Sequence, residues 1–141
     1  MRGNFAALIC FLSTATTVGY KTVTLSTEYT LIGLCFDGVG GSGLTLDEIA
    51  PYSDGNGMTK AYATADADNI QVMGEDGNYK NYFLSNGQSG KGGTTYTAEL
   101  DGKWLQKAGV ACTDTIPVGG AFWYISRSAS STVKLVNPLA E

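Results

Sequence analysis

The side chains of this chain best suited to chemistry are aromatic and acidic, and none is a histidine. Trp104, Trp123, Tyr79 and Tyr82, with Tyr96 as a fifth ring, are candidates for a carbohydrate-stacking platform, because an aromatic face packs on the apolar face of a sugar ring while Tyr and Trp keep a polar tip. The same rings serve equally well as core. In Tyr82-Phe83 and Trp123-Tyr124 the neighbours fall on opposite sides of a strand, so one ring of each pair is expected to face away from the core. Asp54, Asn56, Asp66 and Asp68, followed by Asn69, are an oxygen supply of the kind calcium uses. Asp54-Gly55-Asn56-Gly57 nevertheless lacks the spacing and terminal glutamate of a full calcium loop, and Asp, Asn and Gly are also ordinary turn residues. No metal or other cofactor is therefore expected.

The carboxylate pairs Asp47-Glu48 and Glu75-Asp76 are adjacent in sequence. Glycoside hydrolysis needs two carboxyl groups facing each other about 5–10 Å apart across a sugar, so only a distant pair joined by the fold would serve. Without histidine there is no Ser-His or Cys-His nucleophile and no imidazole ligand. Ser130 and Ser131 have no evident base, and the glycines at 38, 40, 41 and 43 precede no Lys-Ser/Thr of a phosphate loop. A non-enzymatic role is expected.

The start of the chain has the layout of a secretory leader: Arg2, an apolar run from Phe5 to Leu12, then small residues at Ser13-Thr14-Ala15. The run is too short to span a bilayer, which takes about 20 residues. A packed N-terminal strand or short helix is the alternative. Residues 1–15 are assigned to the leader and 16–141 to a single domain. Loss of the leader would remove Cys10 and leave Cys35 and Cys112, a candidate disulfide in an oxidising compartment; two buried thiols acting as small apolar groups is the other reading.

The elements that must position these residues are strands. Only 16% of the 141 residues are charged, 43% are hydrophobic, and 19 are glycine. Thr, Ser and Tyr abound, a composition suited to half-buried pleated surfaces and turns. Val18 to Ser26 alternates, and Tyr29 to Phe36 is almost continuously apolar, so the two are expected to form a first hairpin. Leu44 to Ala50 fits one helical turn with Thr45 and Glu48 as a capping box. Lys60 to Tyr62 suggests a short edge strand. Asp68 to Gly74 and Tyr79 to Leu84 flank Asp76-Gly77, a strong hairpin signal. Ser85 to Gly93 reads as a loop. Thr94 to Leu100 and Lys103 to Lys107 read as two strands turning at Asp101-Gly102, and Thr132 to Val136 as a strand returning on Ala121 to Arg127. The expected fold is all-β, a β-sandwich or small β-barrel of about eight strands with one short helical turn.

Several stretches occur together in order: Val18-Gly19-Tyr20, Leu31-Ile32-Gly33-Leu34, Leu44 to Ile49, Asp68 to Val72 with Asp76-Gly77-Asn78-Tyr79, Gly102-Lys103-Trp104, and Ile116-Pro117-Val118-Gly119-Gly120-Ala121-Phe122-Trp123. In these the chain resembles an uncharacterised group of secreted bacterial β-proteins, known as surface or exported modules. That resemblance implies export and an all-β fold, and no activity.

The formal charge of −4, with no Lys/Arg cluster, argues against nucleic acid as a partner. The expectation is a secreted or cell-surface structural or interaction protein, such as a self-assembling fibre or surface-layer subunit, whose partner is itself or another surface protein. A carbohydrate-binding module that engages glycans through exposed aromatics is the alternative.

Overall fold

The computed structural model describes residues 20–25, 27, 29–34, 43–117, 119–129 and 131–136. The leader, Cys10 and Cys35 lie outside them. Among the described residues the chain forms nine strands and one short helix: β1 (Tyr20–Thr24), β2 (Tyr29–Gly33), β3 (Leu44–Thr45), α1 (Leu46–Ile49), β4 (Asn69–Met73), β5 (Tyr79–Ser89), β6 (Thr95–Leu105), β7 (Thr115–Ile116), β8 (Ala121–Ile125) and β9 (Thr132–Val136). A five-stranded sheet in the order β2-β8-β4-β5-β6 is accompanied by the pairs β1-β9 and β3-β7. Every one of these strand pairings is antiparallel. The all-β expectation holds, and the sheets stay open instead of closing into a barrel.

One face of the large sheet makes the core. Ile32 of β2, Phe122 and Tyr124 of β8, Ile70 of β4, Tyr82 and Leu84 of β5 and Trp104 of β6 are buried together with Leu44, Leu46, Ile49, Ile116, Val133 and Leu135 from the smaller elements. Trp104 ties these layers: its indole Nε1 donates to the Ala50 carbonyl at 2.8 Å, and its backbone N–H donates to Asp47 Oδ1 at 2.9 Å. Its ring also meets Tyr124 edge-on, with centroids 5.7 Å apart. Helix α1 is too short to be stable alone. It is held by those bonds and by its capping box, in which Glu48 N–H donates to Thr45 Oγ1 and Thr45 N–H to Glu48 Oε2.

Local signals located some elements and misassigned others. The β4-β5 hairpin forms as expected, with Met73 opposite Tyr79 and Gly77 at φ 76° in the turn. The first hairpin does not: β1 pairs with β9 and β2 with β8, so the last strand returns to the first instead of to β8. Proximity in sequence favoured hairpins, but the apolar side chains of β2 find their cross-strand partners in Phe122 and Trp123. Asp101-Gly102 is likewise no turn. Strand β6 runs through it as one eleven-residue strand, and the first residues of the loop expected from Ser85 to Gly93 continue β5 as far as Ser89. Gly87 at φ 77° and Gly102 at φ 75° sit where the β5-β6 register shifts, so these glycines make bulges. Lys60 to Tyr62 contributes only an isolated bridge from Ala61 to Ser85.

The two tryptophans give a contrast that tests this packing. Trp104→Ala removes a fully buried ring and orphans the Ala50 carbonyl, and should cost about 3–5 kcal/mol. Trp123→Ala, on the opposite side of the sheet, should cost clearly less. Urea unfolding monitored by circular dichroism would show equal losses if the assignment of inner and outer faces were wrong.

Candidate functional site

Period-two alternation fixes what the other face of the large sheet displays. Because Ile32, Phe122, Tyr124, Ile70 and Tyr82 turn inward, their neighbours turn outward. The register aligns Leu31, Trp123, Gln71 and Asn81 in one row across β2, β8, β4 and β5. Tyr29, Ile125, Asn69 and Phe83 form the row on one side, and Met73 with Tyr79 lies on the other. At the Phe83 end this face is covered, since Phe83 and Leu105 pack with Ala67, Ala61, Leu100 and Ala108. Over the rest it is open: Tyr29 is 58% exposed, Leu31 42%, Met73 51% and Tyr79 52%. The outward positions of these four strands include no charged residue.

Of the four rings suggested as a stacking platform, the structure therefore brings two to this surface. Tyr79 is exposed and Trp123 half-buried there, while Trp104 and Tyr82 are buried in the core and offer no surface to a ligand. Sequence offered no way to separate them, because each ring is a large apolar body with a polar tip that can find a partner inside. Tyr82 does so by donating its hydroxyl to Asp114 Oδ2 at 2.5 Å. Tyr29, Leu31 and Met73 were the members missed; knowing that Ile32 faces inward would have placed the first two. The Tyr29 and Trp123 rings stand 86° apart with centroids at 6.2 Å. Perpendicular rings share no plane, so one flat sugar cannot stack on both.

The calcium candidates do not gather. Asp54 accepts from Tyr52 Oη at 2.6 Å, and Asn56 accepts from the Met58 N–H at 3.1 Å while its amide points at Met58 Sδ. Asp66 is exposed in a separate turn. Asp68 is buried, and its two oxygens take the Tyr124 hydroxyl at 2.8 Å and the Arg127 N–H at 2.7 Å. Arg127 completes that junction by donating from Nε to the Ala67 carbonyl. No three acidic or thiol groups converge on a point among the described residues. Cys112 is a free, half-buried thiol whose pKa burial pushes up, and the candidate Cys35–Cys112 bridge falls partly outside the described residues.

Three carboxylates, Asp47, Glu48 and Asp114, are placed for structure. Asp47, held above its ordinary pKa by burial and pulled back by the Trp104 N–H and Lys103, anchors α1 to β6. Glu48 caps α1, and the Tyr82 hydroxyl holds Asp114 low. Searches against family models, curated proteins and solved structures find no match for this chain.

Asp68 gives the buried junction a pH signature. Burial raises its pKa above the ordinary 3.8, and the hydrogen bonds from Arg127 and Tyr124 only partly offset this. From pH 3.8 up to the raised value the folded chain binds more protons than the unfolded chain, so stability should fall as pH rises through that window. Asp68→Asn keeps an acceptor without the charge and should flatten that part of the profile in denaturant titrations at stepped pH. A profile unchanged by the substitution would contradict this role.

Proposed function

We propose that this protein is a secreted or cell-surface structural subunit that associates with further copies of itself through the open face that β2, β8, β4 and β5 present. The observation that carries the reading is the character of that face: apolar, aromatic and amide side chains without a charge, on a chain of net charge −4. Contiguous exposed apolar surface on a small domain marks contact with another molecule. Like charge opposes the meeting of two identical acidic molecules, and least so where each presents a neutral patch. Two such faces packed about a two-fold axis would bury Leu31, Met73, Tyr29 and Tyr79 on both sides, with Gln71 and Asn81 available to pair across the interface. Export is supported by Arg2, the apolar run from Phe5 to Leu12 and the small residues up to Ala15.

Sedimentation of the chain without residues 1–15 should show its mass rising toward twice the monomer value as concentration increases from micromolar to submillimolar. Leu31→Glu combined with Met73→Glu places like charges on the shared face at positions already open to solvent, and should hold the protein monomeric without unfolding it. A wild-type monomer throughout, or self-association that survives both substitutions, would refute this interface. The intact mass of exported protein should begin after Ala15; an exported chain retaining Arg2 would refute the leader.

A further inference from the structure

A second surface, sharing no residue with the open sheet face, lies where β5 and β6 are bulged. Three tyrosine rings rest on three glycines there, each glycine having positive φ. A Cβ at Gly87 would stand 2.7 Å from Tyr96 Cε2, one at Gly102 3.1 Å from Tyr52 Cδ1, and one at Gly93 3.3 Å from Tyr62 Cγ. Only glycine allows each ring to come this close to the ribbon. The outer sides of the rings remain available, with Tyr96 60% and Tyr62 39% exposed.

Polar groups are set among the rings. Lys60 Nζ donates to Asp101 Oδ1 at 2.9 Å and lies 4.3 Å from the centre of the Tyr52 ring. Tyr96 Oη donates to Asp101 Oδ2 at 3.3 Å, and Asn86 Nδ2 to Gln88 Oε1 at 2.8 Å. Register places Asn86 opposite Asp101 and Gln88 opposite Tyr96. These bonds fix the side chains without exhausting them: a carboxylate offers about four lone-pair directions and an ammonium three N–H donors. The result is a held array of ring faces, a carboxylate, an ammonium and two amides, with the Lys60 and Asp101 charges cancelling.

We propose that this array is a binding site for a neutral carbohydrate. A pyranose presents an apolar C–H face, which suits an exposed tyrosine ring, and an edge of neighbouring hydroxyls that each donate and accept, which suits a fixed carboxylate beside an ammonium and amides. With Asp54 bonded to the Tyr52 hydroxyl beside the Lys60–Asp101 pair, the array has no net positive charge, which favours an uncharged sugar over an anionic one. Tyr96 supplies the stacking face, Asp101 and Lys60 engage adjacent hydroxyls, and Asn86 and Gln88 complete the polar edge. The site stands independently of self-association through the sheet face.

Titration of the protein with glucose, galactose, mannose and N-acetylglucosamine, followed by amide resonances, tests this. At least one sugar should produce saturable shifts confined to residues 60, 86–88 and 96–102, with a dissociation constant on the order of 1 mM. Tyr96→Ala and Asp101→Asn should each weaken it by about tenfold or more while the spectrum stays dispersed. Trp123→Ala should leave it unchanged. Because Tyr96 also covers Gly87, Tyr96→Phe serves as a second variant that keeps the ring and should retain most of the binding. Absence of saturable shifts with all four sugars, or shifts mapping to Gln71 and Trp123 instead, would overturn the proposal.

Discussion

Side chains on a strand alternate between two environments, and in β8 that alternation decides everything the sheet can do. Phe122 and Tyr124 are buried against Ile32, Ile70 and Trp104, so Ala121, Trp123 and Ile125 must lie on the far side. A shift of one residue in the pairing of β8 with β2 or β4 would exchange the two sets and put three charge-free outer positions into the core. Register is therefore held firmly, by the burial of Tyr124 and by the bond from its hydroxyl to the buried Asp68 carboxylate. Arg127, just beyond the strand, donates to the same carboxylate. The inner face makes the fold stable, and the outer face is what that stability leaves available.

The smaller elements depend on the same sheet. Helix α1 and the β3-β7 pair have too few residues to persist unaided: α1 is secured by Trp104, whose indole reaches the carbonyl that ends the helix, and β3 and β7 by the burial of Leu44 and Ile116 in the core. Strand β9 closes the other side by placing Val133 and Leu135 in the core while pairing with β1. Three polar groups that enter this interior arrive with partners, Asp47 with the Trp104 N–H, Asp68 with Tyr124 and Arg127, and Tyr82 with Asp114, whereas the buried Asn69 Oδ1 has none among the described residues. The acidic and hydroxyl groups of those three hold the sheet and its flanking elements together.

The parts of the fold legible in the sequence were those whose cause is local. The capping box at Thr45 and Glu48 and the turn at Asp76-Gly77 act over three or four residues, and both stand where the residues placed them. Asp101-Gly102 shows the limit of the same logic, for a glycine at positive φ can end a strand or bulge it, and the choice depends on whether a partner strand runs alongside. Partner strands were the least legible feature, since β1 with β9 and β2 with β8 join the two ends of the chain. The candidate site suffered from the same gap. Alternation separated Trp123 from Tyr124, but which parity faced inward depended on a core assembled from distant segments, so Trp104 and Tyr82 were grouped with rings that reach the surface.

Intrinsic tryptophan fluorescence offers the most direct view of the outer face, because Trp104 is already buried and Trp123 is the ring whose surroundings would change on contact. If copies of this protein meet through the open sheet face, emission should move to shorter wavelength as protein concentration rises, and the shift should vanish in Trp123→Phe. An emission maximum that does not vary with concentration would contradict that mode of association.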